Sequence, residues 1–210
     1  MRKVALTAIV AAAAFAEEKM TRFNFDSDAA GKPPKGFEFA LTGKGRPGIW
    51  MVQAVNDAPT GQNVLAQTDG DDTDYRFPIA YTGPELKDLR LSVKCKPLAG
   101  KGDQGCGIIW RLKDKDNYYV TRANALEDNV HLYHVVNGHR VRFAGWKGKV
   151  ASGIWHELSM DMVGNHIQVF FDGKKVIDDH DDTFKDAGKF GVWTKADSIV
   201  QFDDLVATPK

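Results

Sequence analysis

Trp110, Arg111, Tyr118, Tyr119, Arg122, Asn124, His131, Tyr133 and His134 crowd into one stretch of the chain. Together they supply what a hydroxyl-rich ligand needs. Aromatic rings give a flat apolar surface for the C–H faces of a sugar ring, and Arg and Asn give several donors in fixed geometry. The binding candidates are Arg111, Tyr118, Arg122, Asn124, His131 and Tyr133, with Trp146, which stands between Gly145 and Lys147 at a strand end, as an exposed aromatic. The competing reading is a set of surface cross-strand pairs, Arg over Tyr, each contributing about 0.2–1 kcal/mol.

Other chemistries find less support. The six histidines form no H-x-H or H-E-x-x-H pattern, so a catalytic zinc is not expected. Ser152 and Ser159 lie in no G-x-S-x-G elbow. Asp178, Asp179, Asp181 and Asp182 surround His180, Asp203 and Asp204 lie near the end, and Asp26 lies near the start. Such carboxylates could hold a hard cation, which takes six to eight oxygens, but solvated acidic turns are the commoner outcome.

These residues must be positioned by strands. Helical periodicity is nearly absent after the first residues, and short β-branched and aromatic segments recur between Gly, Pro, Asn and Asp. Strands are predicted over Gly36–Leu41, Ile49–Val55, Asn63–Gln67, Leu89–Cys95, Gly107–Leu112, Tyr118–Ala123 and Val130–Val136. Others are predicted over Arg140–Trp146, Trp155–Val163, His166–Phe171, Lys174–Ile177, Lys189–Thr194 and Ser198–Ala207. Leu158, Met160 and Met162 alternate with Glu157, Ser159 and Asp161, one dry face against one wet one, as in antiparallel sheets. Asn137-Gly138, Gly164-Asn165 and Asp172-Gly173 are hairpin turns, supplying the positive φ that tight turns need. The predicted fold is all-β, a two-sheet antiparallel jelly-roll sandwich. The facing of the arginines depends on one turn. A four-residue turn over Lys113 to Asp116 pairs Arg111 with Tyr118 and Gly107 with Arg122 on one face. One residue more sends Arg111 to the other face.

The N-terminus predicts export. Arg2 and Lys3 precede an apolar run from Val4 to Phe15, and Ala14-Phe15-Ala16 closes it before Glu17. A run this short suits a cleaved signal peptide over 1–16, since a membrane span takes about 20 residues. The mature chain, 17–210, is expected to be one domain, periplasmic or extracellular, with no transmembrane segment. Of the 28 basic residues, Arg2 and Lys3 leave with the signal, so 26 face 28 acidic ones. That charge gives no basic excess for gripping nucleic acid or anionic lipid. In an oxidising compartment Cys95 and Cys106 are expected to form a disulfide at the base of a hairpin, against the alternative of two unbridged thiols.

The last third reads W-H-E-L-S-M-D-M-x-G-N-H-I-Q-V-F-F-D-G-K-K-V-I-D, then G-K-F-G-V-W-T and a closing F-D-D-L. This resembles the C-terminal half of laminin-G-like and concanavalin A-like jelly rolls. Gly107-Ile108-Ile109-Trp110-Arg111 with Asp116 to Asn124 resembles the central hairpin of bacterial exported 3-keto-disaccharide hydrolase domains, also called family 16-like glycoside hydrolases. The resemblance runs from about Phe23 to Val206. It implies a saccharide or glycoside partner, no required cofactor, and a structural calcium as the ion that Asp26 and Asp203 could hold between terminal strands. It leaves activity open, because this architecture carries lectins, adhesion modules and hydrolases alike. The Glu-x-Asp-x-Glu strand of laminarinase-type enzymes is absent; Glu157-Leu158-Ser159-Met160-Asp161 has a serine at its centre. Carboxylate-pair hydrolysis is therefore not expected. Three functions follow. The first is saccharide binding on one sheet face. The second is cleavage of 3-keto-glycosides by proton abstraction, with His131 or His134 as base. The third is a non-catalytic adhesion or assembly module.

Overall fold

The computed structural model describes residues 20–210, and the signal-peptide expectation over 1–16 lies outside them. Fifteen strands run in order: β1 Thr21–Phe23, β2 Glu38–Gly43, β3 Trp50–Ala54, β4 Asn63–Gln67, β5 Arg76–Leu86, β6 Leu89–Ala99, β7 Gly105–Asp114 and β8 Asn117–Asn124. They continue with β9 Asn129–Val136, β10 His139–Lys147, β11 His156–Val163, β12 His166–Phe171, β13 Lys174–His180, β14 Gly188–Trp193 and β15 Ile199–Pro209. One antiparallel sheet has the order β13-β12-β11-β6-β15-β4-β3, with β1 also on β15; the other has the order β10-β9-β8-β7-β14-β5-β2. The jelly-roll expectation holds. Among the described residues there is no helix long and apolar enough to cross a membrane.

The turns work as their residues dictate. Asn137-Gly138 and Asp172-Gly173 both take positive φ at each position, and Gly164 takes it alone. Their twist matches that of the strands they join. The strand β5 was hidden from sequence reading by Pro78, Gly83 and Pro84, residues that punctuate loops. It nonetheless pairs with β2 and β14. Pro78 has no N–H to give, and its carbonyl accepts from the Thr194 N–H at 3.0 Å.

The main core fills the gap between the sheets: Leu91, Val93, Leu158 and Met160 from the first meet Ile108, Trp110, Leu132 and Val192 from the second. Cys95 and Cys106 are bonded within this layer, 6.3 Å apart at Cα and fully buried. The bridge was expected at the base of one hairpin. It joins the two sheets instead, because the chain crosses between them after β6. Asp197 holds that crossing by accepting from the Lys101, Gly102 and Asp103 N–H groups. On the outer face of the first sheet, Glu157 stands opposite Lys94 and Asp161 opposite Arg90, each in an ion pair. The Glu-x-Ser-x-Asp strand is therefore an ordinary solvated face.

The second sheet carries another apolar cluster on the side away from the first: Phe77, Ile79, Ile109, Tyr118, Val120, Tyr133, Val135 and Trp193. Curvature buries it. Arg140 on β10 sits 4.6 Å from the Phe77 ring on β5, although five strand steps separate them in the sheet. A flat sheet would place these strands about 24 Å apart at ~4.8 Å per step. The sheet is thus curled into a trough, and Arg140 lies across it.

Candidate functional site

The polar half of the trough is built by β7, β8 and β9. Gly107 pairs with Arg122 and Ile109 with Val120, which is the first of the two registers open to the sequence. Alternation then sets Tyr118, Arg122 and Asn124 on the trough face of β8, and Asn129, His131 and Tyr133 on that of β9. Arg122 pairs with His131 across the strands and Asn124 with Asn129. Two close approaches make room for these side chains. A Cβ on Gly107 would meet the Arg122 Cβ at 3.1 Å, and one on Gly145 would meet the His131 Cδ2 at 2.5 Å.

The polar groups form one connected chain. Asp103, fully buried, accepts from Asn124 Nδ2 and Lys195 Nζ at 3.0 Å each. Burial pushes the Asp103 carboxyl up, against the pull of Lys195 and Arg122. Asn124 Oδ1 accepts from the Leu126 and Glu127 N–H groups, fixing the loop that carries Glu127. Arg122, 3% exposed, donates to Glu127 Oε2 at 2.7 Å and to Asn129 Oδ1. Its Nε has no partner among the described residues.

His131 lies at the centre. Its Nδ1 is 3.1 Å from the Tyr133 hydroxyl and 3.3 Å from Arg122 Nη2, and its Nε2 is 3.3 Å from Arg142 Nη1. Burial, then the positive charges of Arg122, Arg142 and Arg140, push its pKa down to about 4, against the pull of Glu127. The ring is therefore neutral at pH 7. A neutral imidazole has one lone-pair nitrogen, so it can accept from Arg122 or Arg142 but not both. One guanidinium donor is always left for another acceptor.

The trough opens on both sides of Arg140. A depression of about 410 Å³ is lined by His131, Arg142, Gly145, Trp146 and Lys147. A wider one of about 640 Å³, at the turn end of the sheet, is lined by Lys44, Asp74, Tyr75, Lys115 and His139. Tyr75 is 46% exposed there, with its ring 5.6 Å from that of Phe77.

Of the residues picked from sequence, the trough brings together Tyr118, Arg122, Asn124, His131 and Tyr133. Tyr118 lies on its floor, fully buried, its hydroxyl hydrogen-bonded with Thr42 Oγ1 at 2.9 Å; burial pushes it up to about 12. Arg111 is elsewhere. The register slips after Trp110, and Arg111 takes φ 45° and turns away from Tyr118. Its guanidinium donates to the carbonyls of Lys87, Phe184 and Gly164 and to Asp88 Oδ1. Trp146 turns its indole toward the main core, 6.2 Å from Phe171, and only borders the smaller depression. His134 points into the gap between the sheets, stacked on Phe143 at 5.5 Å with Nδ1 3.2 Å from Asp181 Oδ2. Sequence reading passed over Asp103, Glu127, Asn129, Arg140, Arg142 and Lys195. Arg140-Val141-Arg142 was the available signal, since residues two apart on a strand share a face.

The acidic residues do not converge. Among the described residues no three His, Cys, Asp or Glu side chains cluster as metal ligands. Asp203 accepts from the Thr60 and Asp204 N–H groups, and Asp26 from Gln62, Asn63 and Asn24. Burial pushes Asp203 up to about 6. Asp178 is likewise taken by Lys175, His166 and Gln168.

No protein-family profile matches the chain, and no curated protein does. Its architecture is shared with solved jelly rolls. The carbohydrate binding module CBM66 from Bacillus subtilis superposes with a TM-score of 0.64 at 19% identity, over 81% of this chain and 95% of that one. The cellulose-induced protein Cip1 gives 0.63 at 12% identity, over 90% and 97%. The exoplasmic domain of VIP36, solved with Ca²⁺ and mannose, gives 0.58 at 13% identity, over 83% and 82%. At these identities the likeness establishes the fold: a jelly-roll sandwich of the kind found in carbohydrate-binding modules and lectins.

Proposed function

We propose that this protein binds a saccharide in the trough of its second sheet. The observation that carries the reading is Arg122, buried and joined to Asn129, Glu127 and His131, with its Nε left without a partner beside aromatic rings. Buried guanidinium donors are ordinarily satisfied, and this network positions His131, whose ring reaches the open depression shared with the exposed Arg142, where a ligand hydroxyl can bind. The exposed Tyr75 supplies a ring face for the apolar side of a sugar. The module and lectin jelly rolls among the solved structures support the same class of ligand. Export to the periplasm or beyond, proposed from the N-terminal sequence, would bring the trough to extracellular glycans.

Isothermal titration against a glycan panel tests it. Binding is expected for the wild type and a loss of at least tenfold for Arg122→Gln, with the melting temperature recorded to confirm folding. The absence of binding to every glycan in the panel would overturn the reading. Only His131 is left on this face as a base for 3-keto-glycoside cleavage. Turnover of such substrates that disappears in His131→Gln would replace binding with catalysis.

A further inference from the structure

Arg140 has an arrangement that hydroxyl recognition alone does not require. Its guanidinium carbon lies 4.5 Å from the Tyr133 ring, 4.6 Å from Phe77 and 5.4 Å from Trp193. Three aromatic faces hold its position through cation–π contact and packing. No carboxylate pairs with it among the described residues, and its Nη1 is buried without a partner. Arg142, two residues on and exposed, also lacks a carboxylate; its one side-chain contact is His131 Nε2 at 3.3 Å.

The other arginines show how this chain treats a guanidinium it uses for structure. Arg76 is fully buried and held by five backbone carbonyls at Arg46, Pro47, Asp69, Asp71 and Ala196, with Asp69 as counter-ion. Arg111 is held by three carbonyls and Asp88. Arg122 has Glu127. Arg140 and Arg142 stand out against these. Around His131 and Arg140 the charged groups are Arg122, Arg140, Arg142 and Lys195 against Glu127 and Asp103, which leaves a local positive excess. A buried or half-buried cation without a counter-ion is costly, and the missing partner is an anion. A guanidinium fork matches planar carboxylates, and also sulfate or phosphate oxygens, with two parallel hydrogen bonds.

We infer that the saccharide taken by the trough is acidic, its anionic group binding between Arg140 and Arg142. This rests on the saccharide reading above and narrows it to glycans bearing a uronate carboxylate or a sulfate ester. The neutral His131 fits beside such a group, since it can donate one N–H without adding to the charge.

The test is titration calorimetry with three probe classes: oligogalacturonate and alginate oligosaccharides, the fully methyl-esterified oligogalacturonate, and κ-carrageenan oligosaccharide, which carries sulfate alone. The acidic form is expected to bind at least tenfold more tightly than its ester, with an affinity that falls as salt is raised. Arg142→Gln and Arg140→Gln are expected to bring the acid down to the level of the ester. Arg140→Lys, which keeps the charge but not the fork, should recover only part of the loss. Because Arg140 packs on three rings, the exposed Arg142→Gln serves as the variant that leaves folding intact. Tight binding of carrageenan with none of the uronates would assign the anion as a sulfate ester and support the inference. Equal binding of acid and ester, or neutral glycans losing as much as acidic ones in Arg142→Gln, would overturn it while leaving saccharide binding standing. Failure of all three classes together with neutral glycans would overturn both.

Discussion

His131 and His134 lie on opposite faces of one strand: His131 faces the trough beside Arg122 and Tyr133, and His134 faces the core against Phe143. Their separation of three residues forces this, because side chains alternate along a strand. His131→Gln is expected to lower glycan affinity at least fivefold with little change in stability at pH 7. His134→Gln, which loses its contact with Asp181, is expected to do the reverse, with affinity unchanged and about 1 kcal/mol lost. Titration and urea denaturation of both variants check it.

Arg111 is a clamp. It joins the β5–β6 turn, the β11–β12 turn and the segment at Phe184 through Lys87, Asp88, Gly164 and Phe184. Arg111→Met would strand those acceptors and is expected to cost about 2–4 kcal/mol. At about 2–4 °C per kcal/mol for a domain this size, the melting temperature should fall by roughly 5–15 °C. Affinity of the folded fraction should not change, and a loss of affinity without a loss of stability would return Arg111 to the binding site.

Two buried groups set opposite pH dependences. Burial, with the charges of Arg122, Arg142 and Arg140, holds His131 down to about 4 against the pull of Glu127, and its ring contacts the Tyr133 hydroxyl. Between pH 6.5 and 4 the unfolded chain binds a proton that the folded chain refuses, so stability is lost as pH falls through that window. Asp203, pushed up to about 6, does the opposite. The folded chain keeps its proton between about pH 6 and 3.8 while the unfolded chain releases it, so stability is gained as pH falls. Urea titrations at pH 7, 5.5 and 4.5 should show His131→Gln gaining on the wild type as pH drops and Asp203→Asn losing ground. Parallel curves for all three proteins would remove both assignments.

Gly145 faces His131 directly across β9 and β10. A valine there would drive into the imidazole and fill the smaller depression. Gly145→Val is expected to abolish glycan binding while the protein still folds, since β10 is an edge strand. Unchanged affinity would move the ligand to the depression beside Tyr75.

The Cys95–Cys106 bridge closes a short loop yet links two sheets. Removing a loop of this length from the unfolded state's constraints costs about 3 kcal/mol. Reduction is therefore expected to lower the melting temperature by roughly 6–12 °C, measured with and without dithiothreitol.

The sequence by itself determined the antiparallel class and most strands. The alternation of Leu158, Met160 and Met162 with Glu157, Ser159 and Asp161, and the Asn-Gly, Gly-Asn and Asp-Gly turns, are local properties that survive without tertiary context. The same alternation put Arg122 with Asn124 on one face of their strand and His131 with Tyr133 on one face of theirs, while the register of the structure set the two pairs side by side. Only the tertiary structure decided the rest. Pro78 sits in a paired strand because its carbonyl, and not its absent N–H, is what Thr194, the residue after β14, uses. Arg111 left the face because a slip after Trp110 reversed it, and a slip of register changes facing without changing composition. Arg140 reached the rings of Phe77 and Trp193 because the sheet curls, bringing β10 over β5. Curvature is a property of the whole sheet. No spacing along the chain records it.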